Sequence, residues 1–131
     1  MPRHVPLDPN KTILVADDEQ PIREFLRRIL SKEGFHILEA SNGEEALDVF
    51  KRQTGKIRLV MMDISMPKMD GTACARLMLK EQPHIPIIYM SGNLDPALMP
   101  AELKNPAMAF LPKPFTTEEI LFQVCGLLNA P

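Results

Sequence analysis

Apolar residues along this chain fall into short continuous runs separated by longer amphipathic stretches, and the alternation of these two patterns lays out its elements. Thr12 to Ala16 is β-branched and apolar throughout, as expected of a strand covered on both faces. Phe35 to Ala40, Ile57 to Met62, Pro86 to Met90 and Ala107 to Leu111 repeat the pattern. After the first run, Ile22, Phe25, Leu26, Ile29 and Leu30 recur at the helical period. Pro21 sits in the first turn of that helix, where its missing N–H costs nothing, and Gly34 follows as a cap. Ala46, Leu47, Val49 and Phe50 mark a second helix running to about Gly55. Ser41-Asn42-Gly43-Glu44 reads as its capping box, in which hydroxyl and carboxylate satisfy each other's orphan N–H groups. A third helix spans Thr72 to about Glu81, with Pro83 and Pro86 bracketing its exit. Thr116-Thr117-Glu118-Glu119 is a second capping box, opening a last helix with Ile120, Leu121, Val124, Leu127 and Leu128 inward. Pro96, Pro100 and Pro106 leave room for only a short or distorted helix before the fifth strand.

Strictly alternating strands and helices imply a parallel sheet with helices on both faces, because each parallel crossover is right-handed and needs a helix. The fold class expected is α/β, a single flavodoxin-like doubly wound (βα)5 domain with sheet order 2-1-3-4-5. That order puts the fifth strand at an edge, where Pro112 is tolerated. Residues 11–129 form this domain. Residues 1–10, which hold three prolines and no apolar block, read as a flexible arm rather than a secretory signal.

At 131 residues the chain is one domain, large enough to bury a core without staples. A net charge of -2 argues against direct nucleic-acid binding or an anionic membrane surface, and no apolar run is long enough to span a bilayer. Its two cysteines, Cys74 and Cys125, lie in helical patterns and read as buried free thiols of a reducing compartment. A cytoplasmic location is expected.

The chemistry gathers where the strands end. Asp63 follows the third apolar run, and Pro67 allows neither strand nor helix to continue through Ile64-Ser65-Met66-Pro67-Lys68-Met69-Asp70-Gly71. Gly71 then supplies freedom at the entrance to the next helix. Under the expected order, the carboxyl ends of strands 1, 3, 4 and 5 bring Asp17-Asp18, Asp63, Ser91 and Lys113 to one rim, where ligands bind in open α/β sheets. Taken singly, each has a plainer role: helix-end charge for Asp17-Asp18-Glu19, turn residue for Ser91, solvated loop lysine for Lys113. Together they demand a counter-charge, because crowded carboxylates repel and their pKa values rise. Lys113 and a divalent cation supply it. Carboxylate oxygens at a partly open site suit Mg2+, and the lack of His or Cys at these strand ends disfavours zinc. A carboxylate nucleophile, a metal, a lysine and a hydroxyl together make a phosphoryl-transfer site. In it Asp63 is the nucleophile, Asp17 and Asp18 hold the metal, and Lys113 and Ser91 meet the transferred group.

Asp17-Asp18, Asp63 with Met66-Pro67-Lys68-Met69-Asp70-Gly71, Ser91-Gly92 and Lys113-Pro114-Phe115, in this order, resemble the response-regulator receiver domain of two-component signalling, over about Lys11 to Asn129. The resemblance implies that a histidine kinase or histidine phosphotransfer protein donates a phosphoryl group to Asp63 with Mg2+, for which Mn2+ can substitute. The domain then acts as a signalling switch that catalyses only its own phosphorylation and dephosphorylation. By the same resemblance, Asp18 binds the metal directly and Asp17 through water, joined by Asp63 and the backbone carbonyl of Ser65. The Lys113–Pro114 bond is cis, Ser91 moves toward the phosphoryl group, and Phe110 is the switching aromatic, able to report packing but not to hydrogen-bond. Ser65 and Asn93 flank the phosphoryl position and tune the lifetime of the acyl phosphate.

Three other functions fit the residues less well. An aspartyl-phosphate phosphatase wants a second acid two residues after the nucleophile, where this chain has Ser65. A flavin carrier wants hydroxyls and glycine after the first strand, where this chain is acidic. A module that never accepts phosphate would not need the full constellation. The downstream partner is not legible. Tyr89-Met90-Ser91-Gly92 resembles the receiver segments of hybrid histidine kinases, whereas Met1 ahead of the arm favours a stand-alone regulator.

Overall fold

The computed structural model describes residues 11–92 and 107–128. Among these residues nine elements follow one another: β1 Thr12–Ala16, α1 Gln20–Lys32, β2 His36–Ala40, α2 Gly43–Arg52, β3 Leu59–Asp63, α3 Gly71–Glu81, β4 Ile87–Ser91, β5 Met108–Pro112 and α4 Thr117–Leu128. The strands form one sheet in the order β2-β1-β3-β4-β5, every neighbouring pair parallel. This is the order expected from the alternation, and it puts Pro112 on an edge strand. The helix anticipated among Pro96, Pro100 and Pro106 lies outside the described residues, as do Asn93 and the arm at residues 1–10. No helix among the described residues is long and apolar enough to cross a membrane.

Two hydrophobic clusters, one on each face of the sheet, follow from the two-residue period of a strand. Leu14, Val60, Met62, Ile87 and Tyr89 point to one side, with Phe50 of α2 and Cys74 and Met78 of α3. Ile13, Val15, Leu59, Met61, Ile88 and Met90 point to the other, against Leu26 and Leu30 of α1 and Ile120 and Val124 of α4. The inner strands β1, β3 and β4 are buried along their whole length, so their side-chain positions carry no slack. Met61, Met62, Met78 and Met90 are fully buried, which makes them packing residues.

The helix ends account for the boundaries. At the end of α1, Gly34 takes a left-handed φ of 91°. The amides of Gly34 and Phe35 then donate back to Ser31 and Leu30, closing the helix with paired carbonyls. Helix α2 starts one residue later than its sequence suggests. Asn42 is the N-cap and accepts from Glu45 N at 2.8 Å, while Glu45, not Glu44, reaches back to Ser41 N at 2.5 Å. Asn competes as well as Ser for this position, and burial of Ala46 and Phe50 selects the register. At α4 the expected reciprocal box is present: Thr116 N donates to Glu119 Oε1 at 2.8 Å and Glu119 N to Thr116 Oγ1 at 3.1 Å. Thr116→Ala should therefore lower stability by about 1 kcal/mol. A chemical denaturation curve with an unchanged midpoint would contradict that.

One sequence expectation fails here. Cys74 is buried, its thiol held above its ordinary range, to about 11, by burial and then by the charge of Asp70. Cys125 is exposed. The phase of α4 explains the difference: with Ile120 and Val124 facing the sheet, position 125 is turned about 100° away from the buried face.

Candidate functional site

The carboxyl ends of β1, β3, β4 and β5 converge on a small acidic basin. Asp17 leaves β1 as a fully buried residue whose position is set from several sides. Its amide donates to Ala40 O at 3.0 Å, tying it to β2. Its carbonyl accepts from Arg23 Nη1 at 2.7 Å, and its Oδ1 accepts from Glu19 N at 2.9 Å. Arg23 in turn pairs with Glu39 on β2 at 3.2 Å, so the acidic turn is braced against the edge strand. Asp18 and Glu19 follow at the surface.

Asp63 is the last residue of β3 and is 4% exposed. Its Oδ1 accepts from Ser65 N at 3.2 Å. The chain beyond it is pulled tight: Gly71 N donates to Ile64 O at 2.8 Å, and a Cβ on Gly71 would lie 2.0 Å from the Asp63 carbonyl oxygen. Glycine is needed here because α3 starts against the backbone of the strand end. Its value is the missing Cβ, not the torsional freedom that its place after Asp70 suggests. The left-handed residue of this loop is Lys68, at φ 71°. Asp70 is a structural carboxylate. It caps α3 by accepting from Ala73 N at 2.9 Å and from Thr72 Oγ1 at 2.7 Å, and these bonds hold it below the usual carboxylate range.

Lys113 enters from the end of β5. Its backbone N–H donates to Ser91 O at 2.8 Å, joining the ends of β4 and β5, and the Lys113–Pro114 peptide is cis. Its ammonium lies 2.8 Å from Asp17 Oδ2, 2.9 Å from Glu19 Oε2 and 3.4 Å from Asp63 Oδ2. Burial acts to lower its pKa, but hydrogen bonds to Asp17 and Glu19 and the charges of Asp17 and Asp63 prevail and hold it above the ordinary lysine value. Ser91 is buried at the end of β4, one residue beyond Met90, the register partner of Asp63. Phe110 stands on β5 opposite Tyr89 of β4, half-buried and within the strand rather than at its end.

Asp63 carries the electrostatic signature of the basin. Burial first, and then the neighbouring charge of Asp17, push its carboxyl up from 3.8 to about 7, against the pull of Lys113 and the Ser65 N–H. A single ammonium therefore does not neutralise the group. Asp17, Asp18, Glu19 and Asp63 each offer a carboxylate oxygen, all within 4.8 Å of one another. Four carboxyl groups against one lysine, all offering hard oxygen donors, fit a divalent cation of the oxygen-loving kind. Glu19 is the member that sequence reasoning left without a part. The available signal was its position, the third acid in a row at a strand end.

The response regulator receiver domain model matches residues 13–124. Among curated proteins, sensor kinase CckA of Brucella abortus is 34% identical over 126 residues, covering 94% of this chain and 13% of that protein. Response regulator MprA of Mycolicibacterium vanbaalenii is 35% identical over 117 residues, covering 89% of this chain and 50% of the relative. The chain thus spans half or less of the length of these relatives. A chain of the CheX-CheY-BeF3-Mg2+ complex from Borrelia burgdorferi superposes with a TM-score of 0.82 at 28% identity, over 91% of this chain and 90% of that one. Motif order, sheet order and the match along nearly the whole sequence agree, and the chain belongs to the response regulator receiver domain family.

Proposed function

We propose that this receiver domain accepts a phosphoryl group on Asp63 and uses it to switch a partner interaction. The observation that carries this reading is the Lys113 ammonium, which bridges buried Asp17 at 2.8 Å and buried Asp63 at 3.4 Å on one rim. A lysine so placed can meet the oxygens of a group bound to Asp63. The donor is a phosphohistidine on a histidine kinase or phosphotransfer protein. An Asp63 carboxylate oxygen attacks phosphorus, the P–N bond breaks, and the imidazole leaves with the bonding electron pair. Lys113 and the Ser91 hydroxyl donate to the phosphoryl oxygens, where negative charge accumulates. Water later cleaves the acyl phosphate and releases inorganic phosphate, so the domain acts on itself and turns over no separate substrate.

Asp18, Asp63 and the Ser65 carbonyl would hold Mg2+ directly and Asp17 through water. Bound there, the ion supplies positive charge to the same phosphoryl oxygens. The relative solved with BeF3 and Mg2+ supports this assignment by analogy. Ser65 and Asn93 tune access of water, and Phe110 follows the movement of Ser91 through packing. We assign residues 11–129 to the receiver and 1–10 to an arm. A cytoplasmic setting agrees with the two free cysteines.

Incubating the protein with acetyl phosphate and Mg2+ should add one phosphoryl group, mapped to Asp63 by mass spectrometry. Asp63→Asn should remove the label, as should chelation of the metal. Label surviving the substitution would reject Asp63. A second reading, in which the chain is the receiver segment of a hybrid kinase, is favoured by the match to CckA, of which it covers 13%. The flanking coding sequence decides between that and a stand-alone regulator.

A further inference from the structure

Glu19 breaks a local rule. It occupies the N-cap of α1, a position that Ser, Thr, Asp and Asn fill best, and its side chain makes no capping hydrogen bond. The carboxylate extends instead across the basin to Lys113 Nζ at 2.9 Å. An ammonium has three N–H donors. Asp17, Glu19 and Asp63 are three carboxylates within 3.4 Å of this one: Glu19 and Asp63 accept hydrogen bonds from it, and Asp17 pairs with it by charge at 2.8 Å.

We infer that Glu19 is a positioning residue that holds Lys113 in the resting protein and releases it when a phosphoryl group arrives on Asp63. The inference rests on Asp63 being the phosphoacceptor. A phosphoryl group on Asp63 takes over the Lys113 donor that Asp63 Oδ2 now holds at 3.4 Å and draws the ammonium outward onto its oxygens, so one of the shorter contacts, to Asp17 or to Glu19, has to lengthen. The Asp17 side chain is fully buried, so breaking its contact leaves a carboxylate out of reach of bulk solvent. The Glu19 side chain is 57% exposed, so water replaces the lysine at little cost. Glu19 is thus the contact that yields, and its strength sets part of the barrier to phosphorylation.

Contact and simple charge repulsion of an anionic donor are separated by three substitutions. Asp at position 19 keeps the charge but is one methylene shorter, and at an N-cap its carboxylate turns onto the helix N–H groups. Gln loses the charge but keeps an oxygen that can accept from the ammonium. With acetyl phosphate and Mg2+, E19A and E19D should both be phosphorylated about three- to fivefold faster than the parent, the factor expected from one exposed ion pair, with E19Q nearer the parent. A parent rate in E19D together with a fast E19Q would assign the effect to charge alone and overturn the inference, as would equal rates in all four proteins. A second reading needs no phosphorylation. The Lys113 ammonium protons, followed by NMR, should exchange faster in E19A and E19D than in the parent and E19Q; identical exchange in all four overturns the latch. Failure of the parent to take label at Asp63 would instead reject the phosphoacceptor assignment, with the NMR arm still reporting on Glu19.

Discussion

Gly71→Ala should lower the stability of this protein by about 3 kcal/mol or more and abolish phosphorylation, although the added group is a single methyl. Its Cβ would lie 2.0 Å from the Asp63 carbonyl oxygen and 2.8 Å from the carbonyl carbon, both backbone atoms that cannot rotate aside. Relief requires α3 to move away from the end of β3. That movement breaks the Gly71 N–H bond to Ile64 O and shifts the carboxylate we propose as the phosphoacceptor. Gly126 in α4 is the matched control. A Cβ there meets nothing within 4 Å, so Gly126→Ala should stabilise by ~0.5–1 kcal/mol through helix propensity. Denaturation midpoints of the two variants should therefore move in opposite directions. A Gly71→Ala protein as stable and as readily labelled as the parent would contradict the packing described.

Asp63→Asn should make the metal-free protein more stable, with a pH dependence whose sign follows from the raised carboxyl. The unfolded chain releases this proton near the ordinary 3.8 and the folded one near 7. Between these values the folded state binds more protons than the unfolded state, so the parent loses stability as pH rises through that window. Above the folded value the loss is complete and flat. Asparagine does not titrate, so the variant should match the parent more closely near pH 4 and exceed it at pH 8, on the order of 2–4 kcal/mol. Added Mg2+ should restore the parent at pH 8 far more than the variant, because it binds the carboxylate that the variant lacks. Parallel stability curves from pH 4 to pH 8 would mean that Asp63 is not electrostatically crowded.

Much of this architecture was legible because β1, β3 and β4 are buried on both faces and read as unbroken apolar runs, while Leu26, Leu30, Ile120 and Val124 keep the helical period. Strand order followed from alternation and handedness, and with it the rim that gathers Asp17, Asp18, Asp63, Ser91 and Lys113. Other features were hidden because they depend on contacts between distant segments. Nothing local distinguishes Asn42 from Ser41 as the cap of α2; packing of Ala46 and Phe50 decides it. The need for glycine at position 71 appears only when α3 is laid against the carbonyl of Asp63. Glu19 looked like one more acid at a helix start, and its role emerges only with Lys113, 94 residues away, across the basin.

The most direct test of the site is a crystal structure of the protein with Mg2+ and beryllofluoride, which mimics a phosphoryl group. We expect beryllium bonded to an Asp63 carboxylate oxygen, fluorides within hydrogen-bond distance of Lys113 Nζ and the Ser91 hydroxyl, and the ion on Asp18 and Asp63. Beryllofluoride on any other side chain, or a Lys113 that remains on Glu19 and Asp17 without touching a fluoride, would contradict the account.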